Sequence, residues 1–200
     1  MLRTYTWADA CTIGNATCGV ASVFCCLHYL VSLQAGPIYW TFILIPLALV
    51  FDIADGHVAR RDKKRQSLIG ADLDSLADVI SFGVAPAVLG YTLGLRGFWD
   101  CVALTYFVVC GVSRLARFNA TSALLADPST GKVKYFEGTP IPSSVILVIL
   151  LAIAFFTNHV LDRLWLGAVV LPGGVFHWWT LLYILSGSAM ISATLRVPKP

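Results

Sequence analysis

Asp52 and Asp55 stand three residues apart at the end of a long apolar run, and Asp74 and Asp78 stand four apart beyond the next polar stretch. At roughly 100° per residue, each pair shares one face of a helix. Asp72 points to nearly the opposite side. The connection between the two helices is short, so they pack antiparallel and the aspartate pairs face each other at similar depth. Ionisable groups in membrane helices are costly and usually mark function. Close carboxylates repel one another, and divalent cations resolve that repulsion. All-oxygen ligands favour Mg²⁺, Mn²⁺ or Ca²⁺ over zinc or copper. Four carboxylates suit two ions about 4 Å apart, the arrangement that serves in-line displacement at phosphorus.

The neighbours of these acids fit a phosphorylated ligand. Gly56 and Ala59 share the face of the first pair, and Gly70 lies one turn before the second. They leave open volume in which a nucleotide can approach the backbone. Arg60 offers a planar fork of donors to a phosphate. Each feature has a blander use taken singly. A lone aspartate can be a structural hydrogen-bonding group, and glycine with alanine usually means close helix packing. The remaining basic residues of the 60–66 loop serve as topology signals or anionic-lipid contacts.

The elements that carry these residues belong in a bilayer. Hydrophobic residues make up 58% of the chain and charged ones only 12%, against about a quarter charged in a soluble domain. No Asp, Glu, Lys or Arg occurs from residue 10 to residue 51. That is too long for one span of roughly 20 residues, and Gly36-Pro37 supplies the break. The expected helices cover 8–33, 38–62, the stretch after the 60–67 loop to about Leu95 with a kink at Gly83 and Pro86, 98–121, 139–158 and 176–195. Thr139 reads as the cap of the fifth, with Pro140 at its first position. Residues 125–138 read as a loop. The expected fold is all-α: one polytopic membrane domain over residues 1–200 with six transmembrane helices.

Six spans put both termini on one side. That side carries twelve of the fourteen Lys and Arg residues, and only Arg96 and Arg163 fall on the other. Positive residues favour the cytosol, so the active site faces it. The six cysteines show no zinc spacing and sit in or beside apolar stretches, as small packing residues do. The N-terminal residues lack a signal-peptide layout.

The run Asp52-Ile-Ala-Asp55-Gly56-His-Val-Ala59-Arg60, nine residues, then Gly70-Ala-Asp-Leu-Asp74-Ser-Leu-Ala-Asp78 closely resembles the signature of the CDP-alcohol phosphatidyltransferases. The resemblance implies exchange of CMP on a CDP-linked lipid for an alcohol. By it, Asp52, Asp55, Asp74 and Asp78 would bind two divalent cations (Mn²⁺ or Mg²⁺), and Asp78 would also be the catalytic base. Asn15, Gly56, Ala59, Arg60, Ser67 and Gly70 would line the CDP-diacylglycerol site. The segments Asp74–Pro86, Ser113-Arg114-Leu-Ala-Arg117-Phe118-Asn119 and Tyr135-Phe136-Glu137-Gly138-Thr-Pro140 resemble the membrane-embedded phosphatidylserine synthases, those of fungi most. That resemblance implies L-serine as acceptor, with Arg114, Arg117, Asn119 and Glu137 as its site. It also implies a homodimer in the endoplasmic reticulum, or in the plasma membrane of a prokaryote. The acyl chains of the donor would stay in the bilayer beside the second to fourth helices.

Arg114 and Arg117 share a face, and an arginine can clamp a carboxylate. They serve equally as topology signals, or as a site for lipid phosphate or a phosphorylated alcohol. Glu137 can meet the serine ammonium or pair with Lys134. Three other readings stand beside serine transfer: the same chemistry with inositol or glycerol 3-phosphate, a cation transporter, and a noncatalytic scaffold. A transporter leaves Gly56, Ala59 and Arg60 without a role. The helical facing makes a direct prediction for purified protein: Asp78→Asn abolishes CMP formation, whereas Asp72→Asn retains it. The reverse pattern overturns the facing.

Overall fold

The computed structural model describes residues 6–61, 69–125, 135–194 and 196–198. The chain is mostly helical. Helix α1 spans Trp7–Ser32 and α2 spans Ala35–Arg61. Thr6 starts α1 with a capping box: its hydroxyl accepts from the Asp9 amide, and Asp9 accepts from the Thr6 amide. This satisfies donors that a helix start leaves open. Leu33 ends α1 in the left-handed region at φ 54°.

Helix α3 runs over Gly70–Asp78, a π-helical segment over Val79–Val84, and α4 over Ala85–Leu93. A helix to about Leu95 with a kink at Gly83 and Pro86 was expected; the chain is helical from 70 to 93, and the π-helical segment lies where the kink was expected. Pro86 cannot donate to the turn before it, and the wider π winding just ahead absorbs that defect. Helix α5 covers Phe98–Leu125.

The second half departs further from the expected helices. Strand β1, Tyr135–Glu137, pairs antiparallel with β4, Arg196–Pro198. Pro140 is extended, a 3₁₀ turn follows over Ile141–Ser144, and α6 covers only Val145–Phe156. Thr139 is therefore not its cap, and its amide donates to the Ala189 carbonyl instead. Residues 176–179 were expected to open the last helix. They are not helical: β2, Ala168–Leu171, and β3, Gly174–His177, form a hairpin, and α7 covers Thr180–Ile191. Gly173 and Gly174, at φ 91° and 155°, allow the tight reversal. Valines and a phenylalanine on both arms favour strand.

Among the described residues, four helices are long and apolar enough to cross a membrane: 7–32, 35–59, 70–93 and 98–121. The apolar stretches 141–156 and 180–191 are shorter. Alternate faces of the long helices expose large apolar residues such as Phe24, Trp40, Val50 and Leu76, as lipid solvent requires.

At one end of the bundle Asp100 is fully buried and accepts from the amides of Gly97 and His177, the His177 ring and the Thr180 hydroxyl. It ties α5, the hairpin and α7 together. In the interior, Tyr183 donates to the Pro86 carbonyl at 2.8 Å and packs edge-on against Phe107.

The contact that matters most for the site is α1 against the π segment. A Cβ at Gly19 would stand 2.4 Å from Ser81 Oγ and 2.9 Å from its Cα, so only glycine permits this crossing. Overpacking of this kind costs about 1–3 kcal/mol. Gly19→Ala is thus expected to lower the thermal midpoint of the detergent-solubilised protein. Gly83→Ala is expected to be tolerated, because its nearest neighbours would stand at 3.8 and 4.0 Å. Equal midpoints for the two variants contradict the close crossing.

Candidate active site

The last turns of α2 present Asp52 and Asp55, and α3 presents Asp74 and Asp78. Ligand oxygens of Asp52, Asp74 and Asp78 all lie within 4.8 Å of one another. Asp55 is not in that trio. Its Oδ2 accepts from the Thr12 hydroxyl of α1 at 2.7 Å, although its charge is felt by Asp74 and Asp78. Asp78 and Asp55 are buried, at 6% and 7% exposure. Asp72 is exposed and stands outside the group.

Helix α1 reaches both acidic helices. Asn15 is fully buried, and its Nδ2 donates to Asp78 Oδ1 at 3.2 Å. The Ser81 hydroxyl in turn donates to the Asn15 carbonyl at 2.9 Å. Two buried acceptors, Asn15 Oδ1 and Asp74 Oδ1, have no hydrogen-bond partner. Among the described side chains, no cation pairs with any of the four aspartates.

Like charges held this closely, out of water, repel strongly. A hard cation with oxygen ligands at about 2.0–2.6 Å joins oxygens up to roughly twice that distance apart, so small side-chain rotations would let the trio close on one. The donor set and the unpartnered Asp74 oxygen both fit such an ion, and the cluster can hold a divalent cation.

Around the cluster the other expected residues fall in two groups. Gly56 is half-buried and Ala59 exposed on the turn of α2 that follows Asp52 and Asp55, and Gly70 opens α3. Arg60 lies in α2, but its side chain is outside the described ones, and Ser67 is outside the described residues.

On the α5 side, Arg114 is buried, its Nε has no partner, and it lies within electrostatic reach of Asp78 and Arg117. Arg117 Nη1 donates to the Ile191 carbonyl at the end of α7, and its buried Nη2 has no partner. Asn119 Nδ2 donates to Ser75 Oγ at 2.9 Å, which ties α5 to α3 beside Asp74. The backbone of Glu137 pairs opposite Arg196, and its side chain is not among those described.

Two apolar grooves reach the lipid face. One, of about 360 Å³, lies between α4 and α5 along Ala87, Tyr91 and Leu104. The other, of about 470 Å³, lies between α1 and α3 along Ala16, Val20, Leu73 and Ala77. Leu73 and Ala77, which line the second, lie in the helix that carries Asp74 and Asp78.

Two polar groups went without a role in the sequence reading, Thr12 and Ser81, and Thr139, expected as a helix cap, instead has a buried Oγ1 without a partner. Thr12 was legible in part, since it stands three residues before Asn15 and shares its face.

A family model described as CDP-alcohol phosphatidyltransferase matches residues 5–185. The chain is 40% identical to a Saccharomyces cerevisiae protein named CDP-diacylglycerol–serine O-phosphatidyltransferase, over 100% of this chain and 73% of that one. A Helicobacter pylori protein of the same name is 35% identical over 84% of this chain and 68% of its own. The archaetidylserine synthase of Methanothermobacter thermautotrophicus is 36% identical over 70% of this chain and 54% of its own.

Proposed function

The chain belongs to the CDP-alcohol phosphatidyltransferase family, and we propose that it transfers the phosphatidyl group of CDP-diacylglycerol to L-serine, giving phosphatidylserine and CMP. The observation that carries this reading is the partly buried carboxylate cluster of Asp52, Asp74 and Asp78, with Arg114 in electrostatic reach of Asp78. It supports an acid–base group working beside a buried cation suited to an acceptor carboxylate.

The serine hydroxyl attacks the phosphorus that bears diacylglycerol. The new bond is from the serine oxygen to phosphorus, and the bond that breaks joins that phosphorus to the oxygen of CMP. Asp78 takes the hydroxyl proton. The Asn15 amide occupies its Oδ1, which leaves Oδ2 to receive the proton. Two divalent cations, Mn²⁺ or Mg²⁺, held by Asp52, Asp55, Asp74 and Asp78, would neutralise charge on the pyrophosphate when bound. Arg60, Ser67, Gly56, Ala59, Gly70 and Asn15 receive the nucleotide end of the donor. Its acyl chains leave sideways into the bilayer, and the groove between α1 and α3 supports that route.

Arg114 and Arg117 clamp the serine carboxylate, supported by the unpartnered Nε and Nη2. Glu137 meets the ammonium, and Asn119 closes the pocket from the α3 side. The stretches 141–156 and 180–191 complete six crossings within one domain, with the basic 60–66 loop and both termini in the cytosol. Twelve basic residues on that side against two on the other support this orientation. The membrane is that of the endoplasmic reticulum, or the plasma membrane in a prokaryote, and the protein works as a homodimer.

Purified protein with CDP-diacylglycerol and Mn²⁺ is expected to release CMP with serine, and not with inositol or glycerol 3-phosphate. CMP release with either of those and none with serine overturns the acceptor. Arg114→Met is expected to raise KM for serine about tenfold or more while sparing KM for the donor, in line with about 1.5–3 kcal/mol for a hydrogen bond to a charged group. An unchanged serine KM removes Arg114 from the serine site.

A further inference from the structure

Helix α1 brings no carboxylate into the cluster, yet it touches acids on both of the other helices. Thr12 holds Asp55 on α2, and Asn15, one turn on, holds Asp78 on α3. Thr12 is 3% exposed. Its hydroxyl stands 2.7 Å from Asp55 Oδ2 and 3.1 Å from the Ala8 carbonyl. A hydroxyl has one proton to give, and the shorter contact to a charged acceptor takes it.

The depth of α1 is fixed on both sides of this pair. A Cβ at Gly14 would stand 3.2 Å from the ring of Phe51, the residue before Asp52, and Gly19 presses on Ser81. The capping box at Thr6 and Asp9 holds the first turn, one turn ahead of Thr12. Thr12 therefore cannot drift from Asp55 without moving the whole crossing.

We propose that Thr12 is a positioning residue for the cation site: its hydroxyl engages Oδ2 of Asp55 and leaves Oδ1 as the oxygen that Asp55 can offer to an ion shared with Asp52, Asp74 and Asp78. This rests on the reading of those four carboxylates as a cation site. Partners that orient a ligating carboxylate typically carry about 10–100-fold in metal affinity or activity. A bond that served packing alone would change stability and leave the affinity of the folded protein untouched.

The test is Mn²⁺ binding to the full chain in phosphatidylcholine nanodiscs, read from the free-ion electron paramagnetic resonance signal, with thermal unfolding alongside. Thr12→Val is expected to weaken Mn²⁺ at least about tenfold, and Thr12→Ser to stay within about twofold of the parent. If Thr12→Val does not fold, Thr12→Cys, which keeps the size of serine with a weak donor, replaces it with the same expectation. In an Asp55→Asn background, removing the hydroxyl is expected to add no further loss. Parent-like Mn²⁺ affinity in the variant lacking the hydroxyl overturns the proposal, whatever its melting point. Absence of Mn²⁺ binding in the parent overturns the cation-site reading and this inference with it.

Discussion

Carboxylates pressed together inside a membrane bundle repel one another and have lost the water that would screen them. Asp52, Asp74 and Asp78 bring oxygens within 4.8 Å of one another, and Asp55 stands close enough to add its field. Such a group is tolerable when neighbouring donors and a cation share its charge. Much of the first half of the fold can be read as meeting that need. Helices α2 and α3 supply the acids. Helix α1 supplies neutral donors, Thr12 and Asn15, that bind single oxygens without discharging the cluster. The glycine crossings at Gly14 and Gly19 bring α1 close enough to do so.

The second half answers a different need. Arg114 enters from α5 as a buried cation near Asp78, and it cannot neutralise four acids alone. Its Nε and the Nη2 of Arg117 stay unpartnered, which suits a ligand that brings its own carboxylate. The end of α7 anchors Arg117 through the Ile191 carbonyl and holds the Gly138-Thr139 corner through Ala189. The short strands β1 and β4 pair the backbone of Glu137 with that of Arg196. On the proposed function a division of labour follows: the acidic half would handle phosphates through cations, and the basic half an anionic acceptor.

Much of this was legible in the residues. The charge-free stretch from 10 to 51 gave two helices, although the break falls at Leu33-Gln34 and the expected breaker, Gly36-Pro37, lies in the first turn of α2; helical spacing separated Asp72 from Asp74 and Asp78. What failed was set by tertiary contact or by competing local preference. The 168–177 hairpin was hidden because its first arm fell in a stretch that read as a loop before the last helix, and its residues 176–177 read as the start of that helix. The π winding before Pro86 depends on how a missing amide is accommodated, and spacing alone cannot show that. Thr139 looked like a helix cap, but its amide found a carbonyl at the end of α7. All four aspartates were expected to hold ions, with Asp78 also the base. The structure draws Asp55 toward Thr12, a partner 43 positions away that no local rule links to it.

The constraint itself can be measured through stability. A ligand that binds only the folded state stabilises it by about 2.7 kcal/mol at a hundred times its Kd. The decisive comparison is the thermal midpoint of the parent and of Asp74→Asn, each with chelator and with saturating Mn²⁺. Without metal, Asp74→Asn is expected to melt above the parent, because one repelling charge is gone. With Mn²⁺ the order is expected to reverse, because the parent gains more from the ion. A parent insensitive to Mn²⁺, or an Asp74→Asn variant that melts below it in chelator, would contradict a cluster whose repulsion is relieved by a cation.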